Sequence, residues 1–145
     1  MTSDTLQSRL AWSLLVLRLT VFIVFAFWTL DKFLNPEHTA RVFANFYQIE
    51  NLSAAMSYAI GTVQAVILLA FLVGFRKTVS YGLVLALHAV STLSSFPQYL
   101  APFEGPNLLF FAAWPMLGAL IALFLLRDAD RLWVVPAQKS ATAAG

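Results

Sequence analysis

LAWSLLVLRLTVFIVFAFWTLDKFL, residues 10–34, decides the architecture, because Arg18 is its only charge before the Asp31-Lys32 pair near the end. About 20 mostly apolar residues cross a hydrocarbon core about 30 Å thick. The run is too long for a strand and lacks a sustained period of two. Arg9 ahead of an apolar stretch also suits a secretory signal. A signal's apolar region would be shorter, however, Arg18 interrupts this one, and no small-residue cleavage site follows. The stretch is therefore expected to stay as a helix of the mature protein.

Three more segments meet the same requirement, at about 54–75, 78–100 and 107–126. Turn signals separate them: Asn35-Pro36 after the first, Arg76-Lys77 between the second and third, and Ala101 to Pro106 before the fourth. Short connections make sequential helices neighbours. The expected fold is all-α: an integral membrane antiparallel four-helix bundle forming one domain over residues 1–137. Residues 138–145 are expected to be a disordered cytoplasmic tail. Between the first two spans, residues 36–51 are too many for a tight turn and too polar to cross. Asn35 suits an N-cap, Pro36 a first helical position and Glu37 the helix dipole. Phe43, Phe46, Tyr47 and Ile49 give this short helix an apolar side, which fits an extracytoplasmic, interfacial position. There it either covers an outward cavity or floats at the interface.

Composition agrees. Of 145 residues, 60% are hydrophobic and 11% charged, against about 45–50% and about 25% in soluble domains. The net charge of +2 comes from scattered basic residues, with no patch for nucleic acid. There are no cysteines, which excludes disulfides, iron–sulfur clusters and thiol chemistry. Basic residues set the orientation. Arg9, Arg76, Lys77, Arg127, Arg131 and Lys139 fall on one side, Lys32 and Arg41 on the other. Both termini are expected to be cytoplasmic.

Ionisable groups inside a bilayer are costly and should face the interior, pair or line a wet cavity. At about 100° per residue, Arg18, Phe25, Thr29 and Lys32 share one stripe of the first span, and Ser57 and Gln64 one face of the second. Tyr81, His88, Thr92, Ser95 and Tyr99 align on the third, and Asn107, Trp114 and Gly118 on the fourth. Counted from the cytoplasmic ends, Arg18, Gln64 and His88 lie about 12–17 Å deep, with Gly118 leaving room at that level. No carboxylate is expected there to neutralise Arg18. Either its long stem reaches the near interface, or the cation awaits an anionic or carbonyl-bearing ligand that Gln64 and His88 orient. Interhelical hydrogen bonding is the plainer role for both of these.

Catalytic patterns are missing. His88 lacks a second membrane histidine for haem, Met116 reads as filler, and neither a phosphate-binding glycine loop nor a nucleophile elbow occurs. No catalytic residue, metal ligand or intrinsic cofactor is expected.

The order of features resembles the DoxX-like family of small four-helix bacterial membrane proteins. The resemblance rests on Leu17-Arg18-Leu19, then Leu30-Asp31-Lys32-Phe33-Leu34-Asn35-Pro36, Gly61-Thr62-Val63-Gln64 and the turn Gly74-Phe75-Arg76-Lys77, and covers about Arg9 to Arg127. The sequence departs from the family pattern at Trp28 or Thr29, where a glycine is common, and at Gln64, where many relatives carry Glu. The resemblance implies a multi-pass protein of the bacterial inner membrane in a quinone-linked redox context. The expected function is thus an accessory subunit of a redox complex rather than a stand-alone enzyme, with a bound quinone as the cofactor left open. Arg18, Gln64, His88, Lys32 and Trp114 are its candidate ligand contacts. The partners expected are the bilayer and either other membrane or redox subunits or further copies of the chain, with no nucleic acid. The alternatives are a scaffold docking through Phe43, Phe46 and Tyr47 without ligand chemistry, and a small oligomeric transporter.

Overall fold

The computed structural model describes residues 2–136, which are helical with no strand among them. The expected tail, 138–145, lies outside the described residues. The elements are α1 (Ser3–Leu34), α2 (Pro36–Tyr47), α3 (Ala54–Leu72), α4 (Lys77–Ser94), α5 (Phe96–Leu100), a 3-10 segment (Asn107–Ala112) and α6 (Ala113–Leu125). Three helical stretches are long and apolar enough to cross a membrane: Ser3–Leu34, Ala54–Leu72 and Asn107–Leu125. The expected third span falls outside that set. α4 has 18 residues, and polar side chains such as Ser80, Tyr81, His88 and Thr92 dilute it. It stops at Ser95, two residues before Pro97, and the chain restarts as the five-residue α5. α1 is longer than expected, because its polar first turns extend the helix back to Ser3.

α1 packs against α3 and α6, and α4 packs against the same two helices. Neighbours run antiparallel. The end of α1 meets the start of α3, where the Ser57 hydroxyl donates to the Lys32 carbonyl at 2.8 Å. Ser57 and Gly61, four residues apart, form a small face that lets the backbones close. A Cβ on Gly61 would lie 2.9 Å from the Phe33 ring. The buried apolar core takes Leu14, Val21 and Phe25 from α1, Leu68 and Phe71 from α3, Val84 from α4, and Leu120 and Leu123 from α6.

α2 lies across the far end of this arrangement, against α1, α3 and α4. Pro36 takes a first-turn position as expected, but Asn35 forms no side-chain cap. Its amide instead donates back to Asp31 at 3.1 Å. α2 ends at Gln48, in the left-handed region with φ of 56°, so the helix is shorter than the 36–51 expected. Ser53 caps α3 by accepting the Met56 amide at 3.2 Å.

Candidate functional site: a buried arginine cluster

α1 carries Arg18 on its buried stripe with Ala11, Leu14, Leu15, Val21, Phe25 and Thr29. Nothing of Arg18 reaches the surface. Its guanidinium points toward the end of the molecule where α1 begins, and there meets Tyr81 from the second turn of α4. The Nη1 group donates to the Tyr81 hydroxyl at 3.1 Å and lies 3.4 Å from Asp130 Oδ2. Tyr81 in turn donates to the same Oδ2 at 2.7 Å. Arg18 Nη2 donates to the carbonyls of Leu132 at 2.5 Å and Trp133 at 3.5 Å. Arg18, Tyr81 and Asp130 are all fully buried.

Asp130, Leu132 and Trp133 belong to the segment after α6, which turns back under the helices as a strap. Its fastenings are specific. Lys77 donates to the Asp130 carbonyl, Val135 N donates to Val73 O at 2.9 Å, and Arg131 donates to Gln7 Oε1 at 3.3 Å. Arg127 donates to Thr78 at 3.1 Å. Gly74, with φ of +62°, makes the approach possible, since a Cβ there would stand 2.6 Å from Val134 and 3.1 Å from Arg18 Nη1. Trp133 is itself left-handed at φ of 51°, a conformation that a bulky residue holds only when its surroundings impose it.

The expectation that no carboxylate neutralises Arg18 is thereby corrected. Asp130 lies beyond the last span in sequence, so helix depth does not register it. The apolar run Leu132 to Val135 just after Arg127 to Arg131 is the signal that this segment returns to the protein. Arg18 does snorkel toward the near end, but its own chain receives it.

The other expected contacts sit apart from this cluster. His88 is two turns further along α4 than Tyr81, about 10 Å. Its Nε2 pairs with the Ala113 carbonyl at 2.9 Å, and its ring meets Phe25 edge-on at 6.1 Å. Gln64 is half-buried on α3. Lys32 is half-buried at the far end of α1 and donates to the Trp28 carbonyl at 3.0 Å. Beside it, Asp31 pairs with His38 at 2.6 Å. The stripe expected to face inward on the fourth span is also corrected. Trp114 is 46% exposed, Gly118 is exposed with nothing near its Cβ position, and Leu120 and Leu123 point in instead. α6 is apolar all round, so no polar residue dictates its phase and side-chain fit decides it.

On α2, Phe43, Phe46 and Tyr47 are half-buried. Phe46 packs on Phe110 at 5.7 Å and Phe43 on Tyr47 at 5.1 Å, so part of this aromatic face is occupied within the chain. A second polar cluster lies at the end where α2 sits, and like the first, where Arg18 Nε and Asp130 Oδ1 lack a hydrogen-bond partner, it is not fully satisfied. The Tyr99 hydroxyl and Gln98 Oε1 are buried without a hydrogen bond of good geometry, and the Tyr99 ring lies 5.2 Å from Phe111 and 5.5 Å from Trp114. No family model, curated protein or solved structure matches this chain.

Proposed function

We propose that the chain is a multi-pass membrane protein, an antiparallel four-helix bundle with both ends on the cytoplasmic side, that serves as an accessory or scaffold subunit and works by association rather than chemistry. The burial of Arg18 against Asp130 carries this reading. An interior cation in a bilayer marks a ligand site when nothing in the protein answers its charge. Here Asp130, Tyr81 and two strap carbonyls face it, with only Arg18 Nε and Asp130 Oδ1 of the pair left without a hydrogen bond, which supports a structural role. The outward surface is broadly apolar, with Val16, Ile23 and Phe27 on α1 and Val63 and Val66 on α3 among its exposed residues. Such a surface suits lipid and neighbouring helices.

The test is mild detergent extraction from native membranes with cross-linking, followed by mass spectrometry of what is retained. Stoichiometric partner subunits are expected. A chain recovered alone in every detergent, with no cross-linked neighbour, would overturn the accessory role.

A second reading, a quinone-linked subunit in line with the DoxX-like resemblance, draws on the other polar cluster. The Tyr99 hydroxyl, beside Ser95 but without a hydrogen bond of good geometry, is a donor of the kind a quinone carbonyl accepts, and its own ring packs on Phe111 and Trp114. Electrons would have to come from a partner. Quinone co-purifying with the wild type and lost from Tyr99→Phe supports this reading; equal quinone in both removes it.

A further inference from the structure

The buried arginine cluster has a neighbour on the surface. Between the first turns of α1 and the strap lies an open pocket of about 210 Å³. Ala11 and Leu132 line it, and the Leu132 carbonyl is held by Arg18, so this wall is fixed to the core. Asp4, Gln7 and Ser8 face it from α1 and Arg131 faces it from the strap. Trp12, also lining it, is 56% exposed. From Trp12 an exposed apolar stripe continues up α1 through Val16, Ile23 and Phe27, positions that the 100° helical step places within about 60° of one another.

Two features of this pocket are chemically specific. It presents a carboxylate, Asp4, and a guanidinium, Arg131, to one space, and Arg131 is oriented there by its bond to Gln7 Oε1 at 3.3 Å. It also opens beside an indole at the foot of an apolar track, where tryptophan sits at a membrane–water interface. The geometry points to a binding site for an aminophospholipid. Its phosphate is taken by Arg131, which suits phosphate through its planar fork, with Gln7 and Ser8 beside it. Its primary ammonium donates to Asp4, and one acyl chain follows the stripe along α1. A choline headgroup, with no N–H, leaves Asp4 without a hydrogen bond, so the site discriminates between the two headgroups. This site rests on the membrane reading given above.

The experiment uses the full chain, reconstituted with equal amounts of phosphatidylethanolamine and phosphatidylcholine of identical acyl chains, with retained lipid read by native mass spectrometry. The wild type should retain the ethanolamine lipid about tenfold over the choline lipid, the scale of one charge-assisted hydrogen bond. Arg131→Gln should lose most of both, and Asp4→Asn should bind the two alike. Both residues are exposed, and thermal unfolding of each variant checks that the fold persists. Equal retention of the two lipids by the wild type, or unchanged retention in Arg131→Gln, overturns the site. So does displacement of the lipid by millimolar O-phosphoethanolamine, which has the headgroup without the chains and would indicate a soluble phosphate ester. Flotation with vesicles separates the two levels. A chain that does not float overturns the membrane reading and this site together, whereas a floating chain without headgroup preference overturns the site alone.

Discussion

Arg18, Tyr81 and Asp130 form a unit in which each member is costly without the others. Removing one partner of a buried ion pair leaves an uncompensated charge, at about 3–5 kcal/mol, whereas replacing both with apolar residues is often neutral. Arg18→Met is therefore expected to lower stability strongly, and Asp130→Leu likewise. The double variant should recover most of the loss, as read by thermal unfolding in detergent. Additive losses would show that the two side chains do not act as a pair. Tyr81→Phe removes one bond to the carboxylate and one from the guanidinium and should cost about 1–3 kcal/mol by the same measurement. The arginine was legible in the sequence as an interior cation. Its carboxylate was not, because a residue beyond the last helix has no helical phase or depth to project from.

At the scale of elements, two glycines separate backbone conformation from packing. Gly74 and Gly105 both have positive φ, but a Cβ on Gly105 meets nothing within 4 Å while one on Gly74 runs into Val134. A left-handed non-glycine residue costs about 1–2 kcal/mol, so Gly105→Ala is expected to lose about that much. Gly74→Ala should lose clearly more, because the strap must shift as well. Equal losses in the two melting curves would mean that the strap yields freely. Ser53→Ala should cost about 0.5–2 kcal/mol through its lost cap on α3. The expected third span shows what a reading of apolar run length misses. Residues 78–100 read in sequence as one helix, yet Pro97 and the polar Ser94-Ser95 divide them into α4 and α5.

For the whole molecule, the strap brings the start of α1, the α3–α4 turn and the end of the described chain to one pole, through Arg131–Gln7, Lys77–Asp130 and Val135–Val73 contacts. The opposite pole holds α2 and the 101–106 turn. The chain has no cysteine, so single cysteines report sidedness without background. Cysteines replacing Gln7 and Asp128 should label from one face of sealed vesicles, and those replacing Glu37 and Glu104 from the other. Labelling of all four from one face would remove the proposed bundle topology. Ending the chain after Arg127 should lower folded yield and melting temperature sharply, because it strips Arg18 of every partner except Tyr81.

Long apolar runs, turn residues and the spacing of polar side chains on α1 and α4 were enough to determine an all-helical chain with membrane-length helices. They also showed that Arg18, Thr29, Tyr81, Thr92 and Ser95 point inward. These signals are local: each depends on residues within a few turns of one another, and burying a polar group is costly enough to fix a helix's phase. The tertiary structure decided the rest. On α6 every face is apolar, so only fit against α1 and α4 could choose Leu120 and Leu123 over Trp114 and Gly118. The partner of Arg18 comes from a segment 112 residues away, brought there by a turn at Gly74 and a strap whose contacts exist only once the helices have packed.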